Sequence, residues 1–345
     1  MKAVMHMTKK QKHIINGVFP FLGIIIVIAF IATSGELENI ITALKAIRPF
    51  FLLFGLLLII AYWTFEAIIL HRLLDSAKEQ LSFLKSLRIT LAGQFFNGIT
   101  PFSSGGQPMQ LYMLHKQNVP LGTGASILTK KFIIYQAALV VYSLVVLVFE
   151  SKFFLGEIPN FVYLGALGFI VNALVIGCLL MIAYNVTFTK RLILGFARLL
   201  KKCFKPMRID GMTTKTLEQI DLFHSNMIQT HNGLKTWIIV GFLSIVQLTA
   251  FFSIPLVIGY GFHMTHLSIF YMIGAAAFVS MVTAFIPIPG AAIGAEGSFY
   301  LIYQIFFPSQ IIITALLLWR LYTYYLPLFV GGTVLLFRDK KPVQL

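Results

Sequence analysis

Thr100-Pro-Phe-Ser-Ser-Gly-Gly-Gln-Pro108 interrupts an otherwise oily chain, and Pro287-Ile-Pro-Gly-Ala-Ala-Ile-Gly-Ala-Glu-Gly297 interrupts it again. Each break is rich in Pro or Gly and has helical-looking apolar sequence on both sides. A lone Pro in a membrane helix is a kink that packing absorbs. Two breaks at corresponding places carry more weight, because backbone released from helix inside a membrane is tolerated only where protein buries it or a water-filled cavity meets it. The pair marks candidate walls of one internal site.

Working outward, apolar residues make up 58% of the chain and charged residues 11%. The apolar residues fall in blocks of roughly 20, the length that crosses about 30 Å of hydrocarbon. Spans are expected at 14–33, 49–70, 128–149, 161–184, 236–259 and 310–336, with further apolar segments at 86–101, 268–286 and 293–307. The first block follows a basic N-terminus but is too long for a signal peptide, and Thr33-Ser34-Gly35-Glu36 is no small-residue cleavage site. It is expected to be retained. Cys178 lies in a span and Cys203 in a basic loop, so a disulfide between them is not expected.

Charge placement orients these spans. If the six clear ones cross and the N-terminus is inside, then Lys and Arg fall on cytoplasmic segments or, as Lys130 and Lys131, at the cytoplasmic end of a span, except Lys45, Arg48 and Lys152 outside and Arg320 deeper within a span. This requires each kinked segment to enter and leave on one side. The first dips in from the cytoplasm, flanked by Lys85 and Lys116; the second dips in from outside, flanked by loops without Lys or Arg.

An internal repeat then emerges. Pro101 and Pro289 are 188 positions apart, and that shift lays span 49–70 on 236–259, hairpin on hairpin, and 128–149 on 310–336. The two units have opposite topology, a pattern of secondary transporters with a site at the repeat interface. The expected fold is an all-α polytopic membrane protein: six full spans plus two re-entrant helical hairpins in an inverted repeat. Within one membrane domain, 1–345, the first repeat is 49–149 with hairpin 86–118, and the second is 236–336 with hairpin 268–307. A cytoplasmic amphipathic loop, 185–234, lies between them.

Polar residues at membrane depth are costly, so function is their default reading. Gln94 and Asn97 are three apart on one arm, and Gln107 and Gln110 are three apart on the other, so each pair shares a helix face. They either line a polar cavity or satisfy the broken backbone at the turn. Glu296 is the one acid in a long apolar stretch, and Arg320 lies roughly 15 Å into the last span at about 1.5 Å per residue. These two either neutralise each other, or Arg320 meets an anionic headgroup, since a guanidinium fork suits phosphate oxygens. Lys131 occupies nearly the same place in the first repeat. Each returning arm also begins at its turn, aiming a positive helix end and free N–H groups inward. The candidate substrate-binding residues are therefore Gln94, Asn97, Thr100, Gly105, Gly106, Gln107, Gln110 and Lys131 in the first half, and Pro289, Gly290, Glu296 and Arg320 in the second.

Lys190-Arg-Leu-Ile-Leu-Gly-Phe-Ala-Arg-Leu-Leu-Lys-Lys-Cys-Phe-Lys205 interleaves base and bulk at helical spacing with no acid until Asp210. It reads as an interfacial helix on an anionic leaflet or as a positive-inside anchor without lipid specificity. Residues 213–231 read as a covering or docking helix with Leu217, Ile220 and Ile228 on its apolar side. No catalytic constellation, Walker loop or dinucleotide-binding glycine pattern is present, and the scattered histidines form no metal-ligand spacing. No catalytic residue, cofactor or metal is expected.

Gly93-Gln-Phe-Phe-Asn-Gly-Ile-Thr-Pro-Phe-Ser-Ser-Gly-Gly-Gln-Pro108 and Pro287 to Gly297 resemble the two signature segments of the lysylphosphatidylglycerol synthase transmembrane-region family. That family includes the flippase half of the multiple peptide resistance factor proteins. The resemblance covers nearly the whole chain and implies movement of lipids between leaflets of a bacterial plasma membrane; charge placement puts both termini in the cytoplasm, and the cations Lys131 and Arg320 favour anionic lipids as partners. In bifunctional relatives a cytosolic domain lysylates phosphatidylglycerol, and the product's translocation lowers affinity for cationic antimicrobial peptides. That domain is expected to be absent here, so lysyltransferase activity is not expected of this chain alone. Many relatives carry an acid and an Arg where this chain has Gln107 and Gln110, and some carry an Arg in place of Ala295. The less charged hairpins leave a glycolipid, a polyprenyl-phosphate-linked sugar or plain phosphatidylglycerol as cargo alongside the aminoacylated lipid. The alternative function is the membrane subunit of a split lipid-modifying system that needs a separate enzyme as partner; a non-transporting scaffold is a third. Nucleic acid is not an expected direct partner.

Overall fold

A computed structural model describes residues 41–42, 45–150, 153–154, 156, 161–203, 212–228, 233–283 and 294–336. The expected span 14–33 and residues 287–293 of the second kink, with Pro289 and Gly290, lie outside these residues. Among the described residues every regular element is helical. In chain order they are α1 (Pro49–Ser76), α2 (Phe83–Ile99), α3 (Gly106–Lys116), α4 (Leu121–Phe149), α5 (Phe161–Tyr184), α6 (Val186–Cys203) and α7 (Met212–Ile228). Then come α8 (Gly233–Phe252), α9 (Ile254–Gly261), α10 (Ile269–Thr283), α11 (Gly294–Tyr303), α12 (Ser309–Arg320) and α13 (Leu326–Leu336), the last two joined by a π-helical turn, Leu321–Tyr325.

Four stretches are long and apolar enough to cross a membrane: Pro49–Ser76, Leu121–Val146, Gly233–Gly261 and Ser309–Leu336. Stretches of 26 to 29 residues reach roughly 40 Å at about 1.5 Å per residue, more than a hydrocarbon core requires. The end of α5 and the start of α6 make a fifth apolar stretch, bent by 98°. Large apolar side chains face outward along these helices, among them Phe50, Leu53 and Leu57 of α1 and Val141, Leu144 and Val148 of α4. Such a surface is unfavourable in water and suits lipid, so the chain is an all-helical, multi-pass membrane protein.

Helix ends are closed by local chemistry. Lys78, Asn118 and His263 adopt positive φ, the left-handed conformation that ends a helix. At α1, Glu79 N donates to Leu74 O and Lys78 N to Asp75 O, which satisfies two carbonyls the helix cannot pair internally. The same pattern recurs after α3, where Val119 N donates to Leu114 O, and Pro120 then forbids continuation.

The chain divides into two compact units, one of residues 1–60, 91–106 and 251–345, the other of residues 61–90 and 107–250. In the second unit, Ile69, Leu70, Leu73 and Leu74 of α1 form a buried core with Ile89 of α2, Leu114 of α3, Ile127, Leu128 and Ile134 of α4, and Val240 of α8. Polar groups join its helices where lipid offers no alternative partner. Gln136 donates to Asn172 Oδ1 at 3.0 Å, Asn172 donates on to Gly168 O at 2.8 Å, and Tyr142 and Thr249 share a hydrogen bond.

Helix α7 packs on α4 and α5. Its buried stripe is Ile220, Phe223, His224 and Met227, whereas Ile228, expected on the apolar side, is 69% exposed. Burying Phe223 and Met227 rotates the helix away from the face that Leu217 and Ile228 alone suggest. In the first unit, α10 packs on α11, and α9 and α11 on α12. Phe299 stacks on Tyr303 at 4.4 Å and on Trp319 at 4.8 Å, and Tyr303 donates to Met272 O at 2.9 Å. Gly331 lets α13 close on α2, because a Cβ there would lie 2.4 Å from Leu91 O.

Candidate functional site

The first break is a built turn. Pro101 excludes the helical conformation for Thr100, whose φ of −114° and ψ of 147° are extended. A 3-10 turn, Pro101–Ser103, follows, with Phe102 and Ser103 both at positive φ, at 54° and 51°. Two successive non-glycine residues in that region hold strain of about 1–3 kcal/mol each.

Side chains of the outgoing arm close the turn over the returning one. Thr100 Oγ1 donates to Phe96 O at 2.7 Å and accepts from Gly105 N at 2.8 Å, while Asn97 Oδ1 accepts from Gly106 N at 2.9 Å. A Cβ on Gly105 would sit 2.6 Å from Thr100 Cγ2, and one on Gly106 would sit 2.2 Å from Asn97 Oδ1 and 2.7 Å from Gly93 O. The glycine pair is thus a consequence of close backbone approach. Asn97 and Thr100 satisfy the broken backbone, and the N–H groups of Gly105 and Gly106, expected to be free, are already taken. Gly106→Ala is expected to lower stability by about 1–3 kcal/mol, the range for forcing atoms into a filled site. Chemical denaturation of the purified protein reads this, and a wild-type midpoint would remove the close-approach argument.

Glu296 lies in the first turn of α11, where the helix dipole favours a carboxylate. Arg320 ends α12 and is buried, and its Nε donates to Glu296 Oε1 at 2.7 Å. Its guanidinium carbon lies 5.3 Å from the ring centroids of both Trp319 and Tyr324, within cation–π reach. The pairing of Glu296 with Arg320, left open by the sequence, is therefore made.

The π turn begins at the residue after Arg320, a feature that often accompanies functional sites. It carries Tyr322, which donates to Leu52 O at 2.8 Å, and Tyr324, whose hydroxyl makes a long hydrogen bond of 3.4 Å to Gly98 O. A Cβ on Gly98 would meet the tip of the Leu328 side chain at 2.7 Å, so Leu328 would have to shift. Tyr324 thereby connects the arm carrying Gln94 and Asn97 to the Glu296–Arg320 pair, all within the first unit.

The second unit holds a separate polar cluster. Lys131 Nζ lies 2.6 Å from Glu66 Oε1 and donates to Gln110 Oε1 at 3.1 Å. Glu66 and Gln110 are buried, whereas Gln107 is exposed. The neighbouring Lys130 donates to Asn226 O of α7 at 2.6 Å. Glu66 went unnoticed in the sequence although it had a signal of its own, an acid inside an apolar span.

Among the described residues, no three or more His, Cys, Asp or Glu side chains are grouped to hold a metal ion. A chain from Archaeoglobus fulgidus named UPF0104 membrane protein is 28% identical over 324 residues, 89% of this chain and 92% of that one. A second UPF0104 membrane protein, from Methanothermobacter thermautotrophicus, is 23% identical over 217 residues, 61% of this chain and 59% of its own. A family model described as the lysylphosphatidylglycerol synthase transmembrane region matches residues 19–331. That match takes in the Asn97–Gly106 turn, Lys131 and the Glu296–Arg320 pair, and the chain belongs to the lysylphosphatidylglycerol synthase transmembrane-region family.

Proposed function

We propose that this chain is a lipid transporter of the flippase or scramblase kind, moving an anionic or modified phospholipid or glycolipid between leaflets. The observation that carries the reading is the Glu296–Arg320 pair, in which a buried Arg320 meets a partly exposed Glu296 and Tyr324 connects it to Gly98 on the arm before the strained turn. Burying charge at membrane depth is expensive, and residues that bear the expense usually serve a substrate path. Phosphate oxygens of a headgroup compete with Glu296 for the guanidinium, and release of the carboxylate accompanies lipid entry. Gln94 and Asn97 contribute polar surface on the same unit. Lys131 with Glu66 and Gln110 offers a second cation already balanced by an acid.

Fluorescent phosphatidylglycerol in proteoliposomes tests this. A charge-assisted hydrogen bond contributes about 1.5–3 kcal/mol, so Arg320→Ala is expected to slow translocation at least about tenfold. Glu296→Gln is also expected to change the rate. Wild-type rates in both variants would sink the proposal.

The architecture we infer alongside it has six spans and two re-entrant hairpins in an inverted repeat, with both termini cytoplasmic. The element order supports it, since a long helix, a short helical pair and a long helix occur twice: α1, α2–α3, α4, and then α8–α9, α10–α11, α12–α13. Single-cysteine labels at Ser268 and Ser309 are expected to react with an impermeant reagent from outside, and labels at Ser86 or Thr216 only after permeabilisation. Labelling of Ser309 from the cytoplasm alone would remove the inverted repeat.

A further inference from the structure

Helix α6 leaves the end of α5 at 98°, and the junction is fixed by specific bonds. Asn185 Oδ1 accepts from Phe188 N at 2.9 Å, a helix N-cap, and Thr189 Oγ1 donates back to Ile182 O at 2.7 Å. Helix α7 braces the corner. Asp221 pairs with Lys190 at 2.9 Å, and His224 Nδ1 lies 3.0 Å from Ala183 O. In turn α7 is pinned to α4, where Gln219 Oε1 accepts from Gly122 N at 2.7 Å. A helix set at a right angle to the end of an apolar helix lies in the plane of the membrane surface when that apolar helix spans.

The sequence of α6 fits that plane. Over its 18 residues it carries five bases and no acid. At 3.6 residues per turn, Leu192, Phe196 and Leu199 fall on one side of the helix and Lys190, Arg198 and Lys201 on the other. Leu192 is 47% exposed and Ile193 36%, so these two apolar side chains are left partly open by the described residues.

We propose that α6 is a preorganised docking surface for an anionic lipid leaflet. Its apolar side enters the boundary between acyl chains and headgroups, and its bases stay at the level of the lipid phosphates. Charge complementarity selects this occupant: besides Lys190, which Asp221 pairs, four bases on a helix without an acid match an anionic surface, and the apolar stripe has no use on nucleic acid. Because the corner is already built, docking orders no new helix. The surface is outside the transport site and does not depend on that reading.

The test uses the full chain with Cys178→Ser and Cys203→Ser, labelled with an environment-sensitive dye at Ile193→Cys. The protein is placed in nanodiscs of phosphatidylcholine alone or mixed with phosphatidylglycerol. The label is expected to shift to the blue and resist iodide quenching in the anionic discs, and high salt is expected to reverse this. Each base near such a surface contributes about a fivefold preference, so Arg191→Glu, Arg198→Glu and Lys202→Glu together are expected to move the inserted-to-withdrawn ratio at least roughly a hundredfold toward withdrawn. The salt titration needs no charge variant, so a misfolded triple variant does not rescue the idea. Equal emission and quenching in both disc types would overturn it, and would point to another occupant such as an acidic protein.

Discussion

Glu66→Ala unfolds at lower denaturant concentration than the wild type, by about 3–5 kcal/mol, because it strands the Lys131 ammonium among buried groups. Lys131 Nζ lies 2.6 Å from Glu66 Oε1, and the two side chains are 15% and 8% exposed, so water cannot take the place of the lost carboxylate. Gln110 remains at 3.1 Å but offers a neutral oxygen in place of an anion. The double variant Glu66→Ala with Lys131→Met is expected to recover most of the loss, since two apolar groups leave no uncompensated charge. Denaturation of detergent-solubilised protein gives the comparison. A single variant within about 0.5 kcal/mol of wild type would show that Lys131 finds another partner at no expense.

Arg320→Ala produces a second large loss, also about 3–5 kcal/mol, by leaving Glu296 without its cation. The guanidinium does more than balance charge. It lies between the rings of Trp319 and Tyr324, and Trp319 continues the stack through Phe299 to Tyr303. Arg320→Lys keeps the charge but loses the planar group that stacks on aromatic faces, so an intermediate loss of about 1–2 kcal/mol is expected. If lysine restores full stability, the aromatic contacts contribute nothing and the site is a simple charge pair.

How far the sequence reveals this molecule depends on the length scale of each cause. Helices α1, α4 and α5 are legible because lipid demands long apolar runs; α5 has the expected limits, while α1 runs on to Ser76 and α4 starts at Leu121, beyond the expected apolar spans at their polar ends. The turn at Thr100–Gly106 is legible because Pro and Gly act on their own backbone. The two acid–base pairs are not, since Lys131 meets an acid 65 positions away and Arg320 one that is 24 positions away. The sequence offered Glu296 and Arg320 as one option and left Glu66 unseen. The face of α7 was misjudged at Ile228 because what a helix buries is decided by its neighbours. Asn97 illustrates the limit within the site: its three-residue spacing from Gln94 leaves cavity lining and satisfaction of the broken backbone both open, and only the structure selects the second, with its carbonyl oxygen holding Gly106 N.

The π turn Leu321–Tyr325 gives the last long helical stretch a change of phase. One extra residue advances everything downstream by about 100° relative to an uninterrupted α-helix. Arg320, ahead of it, is aimed at Glu296; Gly331, beyond it, is aimed at Leu91. Deleting Thr323 would restore regular winding and leave one of those two appointments unkept, so the length of this segment is as much a part of the design as its composition.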